Sequence, residues 1–406
     1  MSAWVLRNAL LAGRERLVDI LVSGPKIAEI GPQLETSAPV IDAKGMLVSC
    51  GFADSHIHLD KACINDRCRN EAGTLAGAIA SVAQAKKGFD AEDIYRRGRQ
   101  VIEKAIVQGT NLMRTHVEID PQIGLTGFQA IRQLKRDYTW AIDIDICVFP
   151  QEGLINNPGT EELLRQALVD GADLLGGCPY MDSDPAEHIA CLFALAREFD
   201  VDLDFHLDFD LDPSWRHLDR VATETIAHGW QGRVTVGHVT KLSALEPQQF
   251  EETAAMLADA GIAVTVLPAT DLFLTGRDHD RLVPRGIAPA DRLARQGVAC
   301  TIATNNVLNP FTPYGDCSLT RMANLFANVA QIGAPSDLET CFAMISDGPR
   351  CLMGRPTRLE VGEPATFILL PNRTGSDCIA EIAHPVLGIM QGRKSFERPQ
   401  PVLFGR

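Results

Sequence analysis

Short apolar, β-branched runs that end in polar residues recur along the middle of the chain, and each is followed by a stretch with apolar positions at helical spacing. The runs are MLVSCGFADSHIH, TNLMRTHVEI, AIDIDICVFPQE, ADLLGGCPY, VDLDFHLDF, RVTVGHVT, IAVTVLPATD and VACTIATNN, eight in all. Between them lie segments such as EDIYRRGRQVIEKAIVQG and FEETAAMLADAG, which end in glycine as helix C-termini often do. Strands alternating with helices predict a parallel sheet. Eight such units predict an α/β chain whose sheet closes into a (β/α)8 TIM barrel. An open doubly wound sheet is the alternative, and the absence of GxGxxG after the first strand argues against it.

The two ends have another texture. WVLRNALLA, ERLVDILVSG and KIAEIG near the start, and ATFILLPN and VLGIMQGRKSF near the finish, read as short strands joined by turns. The economical reading is a small β-sandwich domain built from both termini. It would take residues 1–50 and 358–406 and flank a barrel of residues 51–357.

Composition narrows the partners. The chain has 406 residues and a formal net charge of -14, which argues against binding a phosphate backbone. No apolar run reaches membrane-spanning length. The opening MSAWVLRNALLAGRERLVDI lacks the long apolar region of a signal peptide. Eleven cysteines, an odd number without any CxxC, fit free thiols in a reducing compartment. The expectation is a cytoplasmic protein with no nucleic-acid or membrane partner. Whether it forms a homo-oligomer is left open.

Barrel chemistry collects where strands end. Those ends carry His56 and His58, His116 and Glu118, Gln151, Tyr180, His206 and Asp208, His238, Asp271, and Asn305 with Asn306. Period-2 alternation puts His56 and His58 on one face, and His206 and Asp208 on another. Five of the ten histidines fall at strand ends, a bias that core packing does not predict and a metal site does. Blander readings stand beside this. HxH alone is an ordinary polar pair. His116 serves equally well as a hydrogen-bonding partner of a neighbouring strand. His188, His217, His228, His279 and His384 read as surface residues, and Cys178 as a small buried one. The early acids of the run Asp200 to Asp212 read as solvated.

The segments HIHLDK, MRTHVEID, CVFPQEG, DFHLDFD, VGHVTKL and VLNPF together resemble the amidohydrolase superfamily, in the branch of bacterial cytosine deaminase and N-isopropylammelide isopropylaminohydrolase. The similarity runs over essentially the whole chain. It implies a (β/α)8 barrel with a small β-sandwich. It also implies metal-dependent hydrolysis of a non-peptide C–N bond in a small pyrimidine- or triazine-like ring. One divalent ion, Zn2+ or Fe2+, is implied, with His56, His58 and His206 as ligands. His238 would orient or polarise the attacked group, and Gln151 would read the ring's amide edge. Lys61, His116, Asn306 and Phe311 are further expected substrate contacts, a salt bridge to a nearby acid being the competing reading of Lys61.

Two positions depart from the family pattern. Asn305 stands where the family has a metal-binding, proton-shuttling aspartate, and Phe209 stands where the deaminases have a glutamate. An amide oxygen is a weak ligand and cannot take a proton. Asp208 or His238 is therefore the expected base, with Asn305 a fourth, weak ligand. The rival expectation is a catalytically silent or non-hydrolytic protein of this fold that binds a small molecule.

Overall fold

Strands from both ends of the chain share one sheet in the computed structural model, which describes residues 3–399 and 401–404. β1 (Trp4–Leu11) pairs antiparallel with β2 (Leu17–Ser23), and β2 pairs with β3 (Lys26–Gly31). On its other side β1 runs parallel to β4 (Val40–Asp42) and β5 (Leu47–Ser49). Residues 1, 2, 400, 405 and 406, assigned to the same small domain from sequence, lie outside the described residues.

The chain then enters the barrel through β6 (Phe52–Ile57), β7 (Thr110–Glu118), β8 (Asp143–Phe149), β9 (Leu174–Gly177), β10 (Leu203–Leu207), β11 (Val234–His238), β12 (Ile262–Val266) and β13 (Cys300–Ile302). These eight are parallel and lie side by side in sequence order. They correspond to the eight apolar runs. Beyond the barrel, β14 (Phe367–Leu370) returns to the first sheet and pairs antiparallel with β5. β15 (Leu387–Met390) and β16 (Arg393–Glu397) complete it. Leu6, Ile20, Val22, Val48, Phe367, Leu369 and Ile389 form the core of this sheet.

Gly51 makes the hand-over from β5 to β6 feasible. Its φ is +100°, and a Cβ there would collide with the Asn111 side chain. Asn111 is fixed by donating to the Cys50 carbonyl at 2.8 Å and accepting from Arg350 at 2.8 Å.

The barrel strands are buried on both faces, and their alternation sorts apolar from polar. In β10, Leu203, Phe205 and Leu207 belong to the apolar cluster shared with the helices, Phe205 lying 6.1 Å from Phe193 of the helix Pro185–Phe199. The alternate residues, Asp204 and His206, meet polar groups of other barrel strands. Asp204 receives Arg114 of β7 at 2.8 Å. The hydroxyls of Ser55, Thr301 and Thr265 join three more strands at 2.8 Å each. A barrel interior is ordinarily filled by branched apolar side chains. This one is stacked with polar layers, and the uppermost carries the site.

Candidate active site

The ring closes where the two histidines leave β6. Ile57 forms a parallel bridge with Asn305. The His58 amide donates to the Asn305 carbonyl at 2.9 Å, and the Asn305 amide donates to the His56 carbonyl at 2.8 Å. The eighth strand's end is thus tied to the HxH motif on both sides. Asp54 adds to the tie by accepting the Thr304 amide at 3.1 Å.

His206 projects from β10 toward the same point. Its Nε2 lies 3.1 Å from Nε2 of His56 and 3.1 Å from Nε2 of His58. Two nitrogens bound tetrahedrally to one ion at about 2.0–2.1 Å would lie about 3.3 Å apart, so the three atoms already have nearly the spacing of a ligand set. All three rings are buried. Burial foremost, then neighbouring imidazoles and, for His58 and His206, the Lys61 ammonium, hold their pKa values well below the ordinary imidazole range. Neutral imidazoles are the form that binds metal. Asn305 Oδ1 is buried without a hydrogen-bond partner. Three imidazole nitrogens and an orphaned amide oxygen fit a divalent ion of Zn2+ or Fe2+ type.

The wall beside these rings is a charged network. Lys61 donates from Nζ to Glu118 Oε1 at 2.7 Å and to Gln151 Oε1 at 2.9 Å. Behind it Lys86 donates to Glu118 at 3.1 Å and to Asp120 at 2.6 Å, and it also pairs with Glu152. Burial alone would raise the Glu118 carboxyl, but the two ammonium groups bring it down to about 2. The acidic group Glu118, Asp120 and Glu152 therefore already encloses a cation, Lys86.

On the opposite side His238 closes β11. Its Nδ1 lies 2.6 Å from Asp271 Oδ1, and Phe209 stacks on the imidazole with ring centroids 3.9 Å apart. Asp271 belongs to the helix Pro268–Leu274, and its other oxygen accepts the Leu267 amide at 3.2 Å. Burial pushes the Asp271 carboxyl up, while His238 and the Leu267 amide pull it back. Asp208, His238 and Asn305 all have φ between +48° and +68°, a region that Asp, Asn and His tolerate better than most residues.

These side chains surround a narrow cavity. Of the residues expected from sequence, His58, Lys61, Gln151, His206, His238, Asn305, Asn306 and Phe311 line it, and His56 lies just beneath. Phe209, Tyr180 and Thr270 line it as well.

Two expectations are corrected. Asp208 does not reach the cavity. Its carboxylate accepts the backbone amides of His217 and Leu218 at 2.9 and 3.1 Å, which anchors the start of the helix Leu218–Ala227. β10 ends at Leu207, so strand alternation no longer governs where Asp208 points. His116 does not line the cavity either. It stacks beneath His56 at 3.8 Å, with Nε2 3.5 Å from Asp204 Oδ1. Its strand places it one layer deeper than the strand-end pattern suggested.

His188 is buried rather than on the surface. It pairs through Nδ1 with Asp182 and accepts the Cys178 amide at 3.2 Å. The partnership of Asp271 with His238 went unassigned from sequence. The one signal was an acid at the end of the seventh apolar run.

The sequence profile of the amidohydrolase family matches residues 126–393. The chain is 28% identical to the N-isopropylammelide isopropyl amidohydrolase of Pseudomonas sp. (strain ADP) over 405 residues, 96% of each protein. It is 28% identical to the pterin deaminase of Rhizobium rhizogenes (strain K84 / ATCC BAA-868) over 372 residues, 89% of this chain and 84% of that protein. Its structure superposes on that of 5-methylcytosine deaminase from Klebsiella pneumoniae liganded with 5-fluorocytosine, with a TM-score of 0.94, 25% identity and 99% of each chain covered.

Proposed function

The chain belongs to the amidohydrolase family, a family of hydrolases, and from that premise we propose that it hydrolyses an exocyclic C–N bond of a small oxo-heterocycle with the help of one divalent ion. The approach of His206 Nε2 to 3.1 Å from Nε2 of both His56 and His58, beside a cavity lined by Gln151, Asn306 and Phe311, carries this reading. The names of the similar proteins support it, since ammelide, pterin and 5-methylcytosine are all small nitrogen heterocycles. No relative named here favours a silent scaffold.

His56, His58 and His206 would hold the ion, and the Asn305 amide oxygen would offer a fourth, weaker ligand. Zn2+ or Fe2+ there would supply Lewis acidity and a more acidic water. The remaining work falls to side chains. Asp271 accepts the Nδ1 proton of His238, which leaves the lone pair on Nε2 toward the cavity. His238 then takes the attacking water's proton at Nε2 and returns it to the departing nitrogen. The ring carbon gains oxygen and loses an amine, so the ring emerges with an oxo group. Phe209 cannot share this proton traffic, and among the described residues no carboxylate lines the cavity. Gln151, Lys61, Asn306 and Phe311 would hold the ring.

The reading is tested by elemental analysis of protein purified without added metal, together with an assay of amine or ammonia release from amino-substituted pyrimidines, pterins and triazines. About one divalent ion per chain and turnover of at least one such ring are expected. A chain that binds no divalent ion even after loading, and turns over none of these rings, would refute it.

A further inference from the structure

We propose that the cavity selects an anionic oxo-heterocycle, read along an edge that carries hydrogen-bond acceptors only. The proposal rests on the reading of the cavity as a heterocycle site and adds the class of ring.

The hydrogen bonds behind the wall decide which atoms face the ring. A lysine ammonium has no lone pair, so the Gln151 atom 2.9 Å from Lys61 Nζ can only be the amide oxygen. That oxygen is taken, and Gln151 presents its NH2 group. One of the two protons goes to Cys178 Sγ at 3.4 Å, and the other remains. Lys61 spends two protons on Glu118 and Gln151 and keeps the third.

Asn306 is fixed by the same logic, one step removed. Asn309 Oδ1 accepts the Phe311 and Thr312 amides at 3.0 and 3.1 Å. Asn309 must therefore turn its NH2 toward Asn306, 2.7 Å away, and the Asn306 atom it meets is the oxygen. Asn306, too, has its oxygen engaged and its NH2 group uncommitted. Three side chains from three separate loops thus present donors.

Charge points the same way. Among the described residues lining the cavity Lys61 is the one of fixed charge, and Lys61 Nζ lies 4.6 Å from the Phe311 ring centroid. A neutral lactam would set its ring N–H against the donors of Gln151 or Lys61 and leave both unpaired in a buried site, which is unfavourable. A deprotonated ring amide offers oxygen and nitrogen lone pairs to these donors, and its charge meets the third N–H of the Lys61 ammonium, which Glu118 already pairs. Charge-assisted bonds of this type are roughly twice as strong as neutral ones.

The test is calorimetric binding of two oxo-rings to the purified protein near neutral pH. 5-Nitrouracil has lost a ring N–H proton at this pH and is a ring-amide monoanion, and uracil is its neutral counterpart. 5-Nitrouracil should bind roughly tenfold to hundredfold more tightly than uracil. In Lys61→Met the ratio should collapse toward unity. In Gln151→Glu, which replaces the donor by a carboxylate, 5-nitrouracil binding should be lost. Equal binding of the two rings by the wild-type protein would overturn the proposal and leave the heterocycle reading standing. A ratio unchanged in a folded Lys61→Met protein would overturn it as well. Failure of both rings to bind would count against the proposal and the heterocycle reading together.

Discussion

His238 Nδ1 lies 2.6 Å from Asp271 Oδ1, and the face of the imidazole is covered by Phe209 at 3.9 Å. The carboxylate fixes one ring nitrogen as the donor and so leaves the other as the acceptor. The phenyl ring covers the imidazole face and has no proton to exchange. On the proposed mechanism, proton transfer would fall to this one histidine.

His238→Asn should lower kcat by about 10²–10⁴, the usual range for removing a general acid–base group. Asp271→Asn should also lower kcat, because an amide at that position can donate to Nδ1 and favour the wrong tautomer. The two losses should not add in the double variant, since the residues act as a unit. Steady-state kinetics on whichever ring the substrate screen identifies would check this. Full additivity would show that Asp271 works independently of His238.

His56→Ala and His58→Ala should each reduce bound metal well below one ion per chain, measured by elemental analysis of the purified variants. Asn305→Asp should tighten the site by about tenfold or more, because it replaces a weak amide ligand with a carboxylate. Competition with a chelator would read the change without reference to activity. An unchanged metal content in both histidine variants would remove them from the ligand set.

Glu118→Gln should destabilise the protein by about 3–5 kcal/mol near neutral pH, since it leaves Lys61 and Lys86 buried with one fewer partner. The pH dependence has a definite sign. The folded pKa of Glu118, about 2, lies below its ordinary value of 4.5. Its stabilisation is therefore full above about 4.5 and lost as pH falls toward 2. Thermal melts of the two proteins should differ most near neutrality and converge in acid.

Asp208→Asn should leave kcat nearly unchanged, because the carboxylate faces backbone amides rather than the cavity. Burial raises the Asp208 carboxyl to about 6, against the pull of those amides. The wild-type protein therefore loses stability from this group as pH rises from about 4 through 6, and Asp208→Asn should not. Asp208→Ala should cost about 1–2 kcal/mol through the unsatisfied helix start. A large kcat loss in Asp208→Asn would restore it as a base.

The sequence by itself determined the barrel, because eight apolar runs with intervening helical spacing leave few other ways to bury both faces of so many strands. Spacing put five histidines at strand ends, and the family resemblance singled out His56, His58 and His206 among them and located both departures, Asn305 and Phe209. What lay beyond it were contacts set by loops after the strands stop. Asp208 reads as an inward residue only while β10 continues, and a left-handed turn at that residue sends its carboxylate to the helix start instead. His116 lies on the predicted inward face, but its depth depends on the stagger between β6 and β7, which period-2 spacing does not encode. The orientations of Gln151 and Asn306 depend on partners 90 and 3 residues away along the chain, the first brought close only by barrel closure. Periodicity fixes the face a side chain occupies, whereas partner and protonation follow from what the closed barrel places opposite it.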